Sequence, residues 1–279
     1  MTTWLSSGPD WFWLLLFVAV PAGIAVGIQA LIRPLVYKDQ LLPHHDVSIF
    51  LGSIVSILYA VVLGFLVVTV WSTFESAQQT ADLEAGYVAD AFGAAAALPE
   101  PQKTKVRHNL AGYAIEVRDV EWPMLGHATQ DPRARMLLGQ ALRSVNLMPT
   151  DSASDGGKVL RYEFVREASL RSLRDIADQR RLRLVEARNR LPRSMWVALC
   201  LGGLMVMAFV FVFDVKNIGL QFLMTGLVAG CIGLLLGLVV ELNSPYGGAI
   251  RVSPDTWTFV IDSNHFARYE NAGAAPGGR

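Results

Sequence analysis

Apolar and polar positions along this chain are sorted into long blocks rather than mixed. Four stretches contain no Asp, Glu, Lys or Arg: Trp11–Ile32, Ile49–Trp71, Met195–Phe213 and Ile218–Val240. They run 22, 23, 19 and 23 residues. A bilayer core of about 30 Å needs about 20 apolar residues in helical form. Inside lipid the backbone must satisfy itself, which a helix does within one segment. The pattern predicts four transmembrane helices. The first reads as a retained crossing, not a cleaved leader, because residues 1–10 carry no Lys or Arg and the run is too long.

Between the second and third runs the pattern changes to helical periodicity. From Lys103, apolar residues recur as Val106, Leu110, Tyr113, Val117 and Val120, one face of a helix. Trp122–Pro123 is expected to end it. Asp131 followed by Pro132 predicts an N-cap and a first helical position. The helix after it should bury Leu138, Leu142 and Val145 and stop by Pro149. Thr150–Gly157 reads as a flexible loop. Val159 to Leu191 is one long candidate helix with Tyr162, Val165, Ser169, Leu173, Ile176, Arg180, Leu184, Ala187 and Leu191 on one stripe. Ser72–Leu98 is expected to continue the second crossing. Pro245 to Phe259 reads as an ordered loop, and Asn271–Arg279 as a disordered tail. No run alternates as a strand does. The predicted class is all-α, an integral membrane protein with a long helical cytoplasmic bundle between its second and third crossings. The expected organisation is crossings 11–32 and 49–71 within 1–71, a cytoplasmic region 72–194, crossings 195–213 and 218–240 within 195–240, and a cytoplasmic end 241–279.

Charge adds an orientation. Four crossings put both termini on the same side as the long segment. Near the helix ends that side holds Arg180, Arg181, Arg183, Arg188, Arg190, Arg193 and Arg251, against Arg33, Lys38 and Lys216 on the other. The positive-inside rule places the termini and residues 72–194 in the cytoplasm. Trp4, Trp11, Trp13, Trp71 and Trp196 fall near interfaces on this same side, as an aromatic belt would. Composition agrees: 52% hydrophobic, 17% charged, mean hydropathy +0.36. Lys plus Arg and Asp plus Glu are 24 each, which excludes a strongly basic nucleic-acid binder.

Two membrane faces stand out. The fourth run carries Gly219, Gly226, Gly230, Gly233 and Gly237 along one stripe, a seam that lets another backbone approach closely. Ala19, Gly23 and Gly27 form a similar stripe on the first run, where Pro21 is expected to kink the helix, and Gly52, Ser56, Ala60 and Gly64 do so on the second. Such seams serve packing within one subunit or between subunits. The opposite face of the second run reads Val55, Leu58, Val62, Phe65, Thr69, Ser72 and Ser76. It is bulky and apolar, then hydroxylic, with Glu75 beside it. It either meets lipid or lines a pore, in which case Val62 and Phe65 would gate by dewetting.

Familiar chemistry is missing. The predicted crossings hold no ionisable group, which argues against proton-coupled transport. Gln29 and Gln221, near the outer ends, are their polar exceptions. No phosphate loop, zinc-protease helix, dinucleotide fingerprint or nucleophile elbow occurs, so neither enzyme activity nor a cofactor or metal is expected. Cys200 and Cys231 read as buried small hydrophobes rather than redox partners. His44 and His45 beside Asp46 read as a solvated pair in the outer loop, or as a metal or pH site. Six Arg stand against one Glu over residues 180–193. They serve as a topology signal and anionic-lipid contact, or as a positive vestibule. The acidic stretch Glu75, Asp82, Glu84, Asp90 and Glu100 could pair with them, or ring a cation entrance. Glu75, Arg180, Arg181, Arg183 and Arg190 are the charge-cluster candidates.

Certain short segments, in order, resemble the bestrophin-like family of bacterial membrane proteins. They are Tyr59-Ala60-Val61-Val62-Leu63-Gly64-Phe65, Glu121-Trp122-Pro123, Arg181 to Leu184, Leu191-Pro192 before Met195-Trp196, Leu242-Asn243-Ser244-Pro245-Tyr246-Gly247-Gly248, Val252-Ser253-Pro254 and Phe259. The chain departs from that pattern at Asn243, where an acid is expected, and at Tyr246, where Phe is expected. The resemblance implies kinship with bestrophins, pentameric ion channels whose second helix lines a pore with a hydrophobic neck. It implies a homo-oligomer in the plasma (bacterial inner) membrane, with lipid and permeant ions as its partners. The expected function is an oligomeric ion channel. The alternative is a non-conducting membrane scaffold or sensor whose cytoplasmic bundle binds a partner.

Overall fold

The computed structural model describes residues 10–36, 45–148, 156–212 and 217–273, and among these described residues it has ten α-helices. In chain order the first five are α1 (Asp10–Val36), α2 (His45–Ala94), α3 (Gln102–Glu116), α4 (Trp122–Leu125) and α5 (Pro132–Asn146). Then follow α6 (Gly156–Glu186), α7 (Arg193–Val212), α8 (Ile218–Leu242), α9 (Asp255–Ser263) and α10 (Phe266–Gly273). The described residues contain no strand. Lys38, His44, Pro149, most of the 150–157 loop and positions 274–279 lie outside the described residues. Four helical spans are long and apolar enough to cross a membrane: Leu15–Arg33, Phe50–Ala97, Arg193–Val212 and Ile218–Leu242.

The chain divides into two compact units. The first is Met1–Phe74, Arg190–Ser244 and Gly248–Arg251; the second is Glu75–Asn189, Pro245–Gly247 and Val252–Arg279. Helix α2 runs unbroken for 50 residues and contributes to both.

In the first unit, α1 and α8 pack as antiparallel neighbours through glycine. Gly226 faces Val26 and Ala22, Gly230 faces Val18, Gly233 faces Pro21 and the Phe17 carbonyl, and Gly237 faces the Phe17 ring. A methyl group on Gly233 would stand 2.5 Å from Pro21 Cγ, so the two backbones approach only because the side chain is absent. The stripe on α8 is therefore occupied within the chain. Gly23 and Gly27 instead have nothing within 4 Å. The core of this unit joins Tyr59, Leu63 and Val70 of α2, Leu199 and Val206 of α7, and Val239 and Leu242 of α8. Tyr59 packs against α7, where a Cβ on Gly202 would be 2.5 Å from its ring. Gln29, Gln221 and Thr225 are buried. Cys200 and Cys231 form no disulfide and are exposed, not buried as expected from their apolar surroundings. A helix inside lipid can present any small apolar side chain outward at no hydrophobic cost.

In the second unit, Ala77, Ala81, Ala85 and Val88 give α2 a small-residue inner face. Val106, Leu110, Tyr113 and Val117 are buried as their spacing predicts, but Val120 is exposed. The reason is a π-helical turn over Val117–Glu121. Its wider register rotates Val120 outward and Glu121 inward. Nor does Pro123 end the helix. It falls in the first turn of α4, which follows the π-helical turn directly. Asp131 caps α5 as expected, accepting the Ala134 N–H at 2.7 Å. Leu138 and Val145 are buried and Leu142 is half-buried. Helix α6 stops at Glu186, short of Leu191. The segment after Pro245 is not loop throughout: from Asp255 it is helix, burying Trp257, Val260 and Ile261 at helical spacing. Residues 271–273 belong to α10.

Candidate functional site

Part of the predicted pore face lies on the side of α2 turned away from its own core, while Val55 packs against that core. Leu58, Val62 and Phe65 are exposed, Phe65 by 72%, while Tyr59 and Leu63 on the other side are buried. Val55 is half-buried, and Thr69 and Ser72 are exposed. The Thr69 hydroxyl donates to the Phe65 carbonyl at 2.9 Å, so its proton is held in the helix and its lone pairs face outward. Ser76 differs. It donates to Glu186 Oε1 at 2.9 Å, which also accepts from Thr80 at 3.2 Å. Of the five stripe glycines, Gly219 stands apart from the seam and lies beside Asn217, whose side chain caps α8 by accepting the Gly219 and Leu220 N–H groups.

The second unit is built around a buried network of charge. Arg180 and Arg183 lie three residues apart on α6, facing inward. Arg183 donates to Glu84 through Nε at 2.5 Å and Nη2 at 3.2 Å, and to Glu121 at 2.6 Å. Arg180 donates to Glu121 at 2.5 Å and to the Asp131 carbonyl at 3.3 Å. Glu121 also accepts the Asp131 N–H at 3.0 Å. The Tyr113 hydroxyl donates to Glu84. Glu84, Glu121 and Arg183 are wholly buried. The Arg183 guanidinium also sits 5.6 Å above the Trp122 ring, a favourable cation–π placement.

Electrostatics follow from this arrangement. Burial alone would lower the Arg183 pKa, but the Glu84 charge and hydrogen bond override it, so the guanidinium is held well above its ordinary range. Burial, then the Glu84 charge, push the Tyr113 hydroxyl well above the usual tyrosine range. It therefore stays a donor. Burial likewise raises Tyr246, which donates to the Ala77 carbonyl at 2.9 Å and meets Trp122 edge to face.

The structure divides the predicted charge cluster. Arg180 and Arg183 are buried against carboxylates, so neither offers a free charge to a vestibule. Arg181 is exposed and pairs with Asp178 at 2.9 Å. Glu75 and Arg190 are exposed, in the second and first units respectively. Glu84 was visible as a member of an acidic stretch. Glu121 stood outside that stretch and was marked only by the Glu121-Trp122-Pro123 segment, since the π-helical turn is what brings it inward.

Polar contacts hold the chain at Asn243, one of the departures from the expected pattern, and at Glu241. Asn243 Oδ1 accepts the Leu191 N–H at 2.7 Å, a role that needs an acceptor but no charge. Glu241 accepts the Ala249 N–H at 2.8 Å, beside Gly248 at φ +85°. Among the described residues, no three His, Cys, Asp or Glu side chains group as a metal site.

A family model described as the bestrophin-like domain matches residues 19–257. The chain belongs to the bestrophin-like family. Among solved structures it is similar to a bacterial bestrophin homologue from Klebsiella pneumoniae, with a TM-score of 0.59 at 16% identity, over 94% of this chain and 99% of that one. A point variant of that homologue superposes with a TM-score of 0.59 at 13% identity, over 92% and 98%. These likenesses establish the bestrophin fold. Among curated proteins, none matches this sequence. Within the family pattern, Glu121-Trp122 now has a physical role: the carboxylate bridges two arginines, and the indole supports one of them.

Proposed function

We propose that this bestrophin-like chain is the subunit of an oligomeric ion channel whose pore is lined by α2. The observation that supports it is the outward face of Leu58, Val62 and Phe65. These bulky side chains take no part in the chain's own core. A ring of them around a symmetry axis would make a hydrophobic constriction that gates by dewetting. Thr69 and Ser72 would continue the path with outward hydroxyl oxygens. The absence of ionisable groups in the predicted crossings suits a conduction path between subunits better than one within a subunit. Positive-inside bias supports an orientation with the termini and residues 72–194 on the cytoplasmic side of the plasma membrane, for a non-enzymatic membrane protein surrounded by lipid. A pentamer is the stoichiometry that kinship with bestrophins suggests.

The test is reconstitution of the full chain in planar bilayers. Unitary currents that change in Phe65→Ala support the pore. Silence across voltage, salt and pH, with an oligomer confirmed by mass, rejects it and favours a non-conducting scaffold or sensor.

A further inference from the structure

In the second unit a cavity of about 460 Å³ opens between α3 and α5, away from the charge network. Its polar lining includes Gln102, Lys105, His108 and Asn109 from α3, and Gln140 and Arg143 from α5. No acidic side chain lines it. Lys105 and Arg143 form no ion pair among the described residues. Asn109 is only 7% exposed, lines the cavity, and its amide has no hydrogen-bond partner among the described residues. With no partner in the chain, the amide is free to donate to a ligand at the cavity wall. His108 completes the set. Its Nδ1 lies 2.9 Å from the Tyr269 carbonyl. A carbonyl only accepts, so Nδ1 carries the hydrogen, leaving Nε2 as the ring's second polar atom.

We propose that this cavity binds a phosphate-bearing anion. The wall offers an ammonium, a guanidinium and an amide NH₂ with no carboxylate to compete. A phosphate group brings close to two negative charges and three acceptor oxygens, which this donor set matches. A halide would satisfy one or two of these donors and leave most of the volume empty. The cavity falls within the usual size of small-ligand sites, about 300–1,000 Å³. The phosphate belongs either to a free organic phosphate or to a lipid headgroup, and the two share the recognition chemistry. This inference does not rest on conduction.

The experiment is calorimetric titration of the full chain in neutral detergent, at constant chloride, with inorganic pyrophosphate and separately with dioctanoyl phosphatidic acid. Saturable binding of one ligand per chain is expected for at least one probe. Arg143→Gln and Asn109→Leu should each weaken it by about tenfold or more, the change that loss of one charge-assisted contact produces. The thermal midpoint serves as the folding control. Lys105→Gln replaces Arg143→Gln if that variant unfolds. Pyrophosphate binding assigns the site to free phosphates, and binding of the lipid alone assigns it to headgroups. No saturable binding of either, or affinities unchanged in the variants, overturns the proposal.

Discussion

Arg183 grips Glu84 through two hydrogen bonds, across 99 positions of sequence, with both side chains fully buried. The pair joins α6 to α2. Glu121 then links Arg183 to Arg180, so α6 is held by a chain of alternating charges. Such a network adds less net stability than its Coulomb energy suggests, because both ions lost their hydration. Removing one partner is another matter, since the other stays buried and uncompensated.

Arg183→Leu is therefore expected to destabilise the chain by about 3–5 kcal/mol. Chemical unfolding of the full chain in detergent measures it. Replacing Arg183, Glu84 and Glu121 together with apolar residues should recover part of the loss. A change under about 1 kcal/mol in the single variant would contradict the buried-pair description.

Gly202 and Tyr59 make a steric prediction. Gly202→Ala places a methyl group 2.5 Å from the Tyr59 ring. Overpacking of this kind costs about 1–3 kcal/mol. The smaller ring-free side chain of Tyr59→Leu should relieve the clash, so the double variant is expected to be more stable than the sum of the two single losses. Strict additivity in that double-mutant cycle would show that the two positions do not meet.

Asn243 stands where an acid was expected, yet its contact is a neutral acceptor for the Leu191 N–H. Asn243→Asp keeps the acceptor and should move stability by no more than about 0.5 kcal/mol. Asn243→Leu removes it and should cost about 1–2 kcal/mol. Thermal midpoints of the two variants, compared side by side, check the order.

Alkaline pH should loosen the second unit. Tyr113 and Tyr246 both have raised pKa values in the folded chain. An unfolded tyrosine loses its proton near pH 10, while the folded ones keep theirs. The unfolded state then binds fewer protons, so stability falls as pH rises past about 10 and is fully present below it. The thermal midpoint should fall above that pH. Tyr113→Phe with Tyr246→Phe should show a shallower decline, whatever its stability at neutral pH. An equal slope in both proteins would refute the assignment.

Phe65 carries the functional prediction. Phe65→Ala shortens the bulkiest exposed side chain on the α2 face and should raise open probability or unitary conductance. Val70→Ala, on the buried side of α2, is expected to lower stability and leave conduction unchanged. Single-channel recording separates the two faces. Equal effects on current would remove the distinction on which the pore reading depends.

How much was legible follows from the range of the forces. The four crossings are a local property, because about 20 consecutive apolar residues suffice to span lipid. The Asp131 cap is local too, set by a side chain reaching three residues ahead. The α8 glycine stripe announced a close approach but not its partner. That α1 fills it was decided by packing, since Val18, Ala22 and Pro21 fit the groove. The charge network was legible only in part: an acidic stretch containing Glu84 faced an arginine cluster in the sequence as a possible partner, but nothing marked which members would meet. Glu121 enters it only through a π-helical turn, and Glu84 meets Arg183 only when distant helices assemble. Sequence by itself determined that this protein is helical, spans a membrane and segregates its charge. Tertiary structure decided which arginines are neutralised in the interior and which remain exposed, because pairing a buried charge depends on side chains brought together in space and not on their order along the chain.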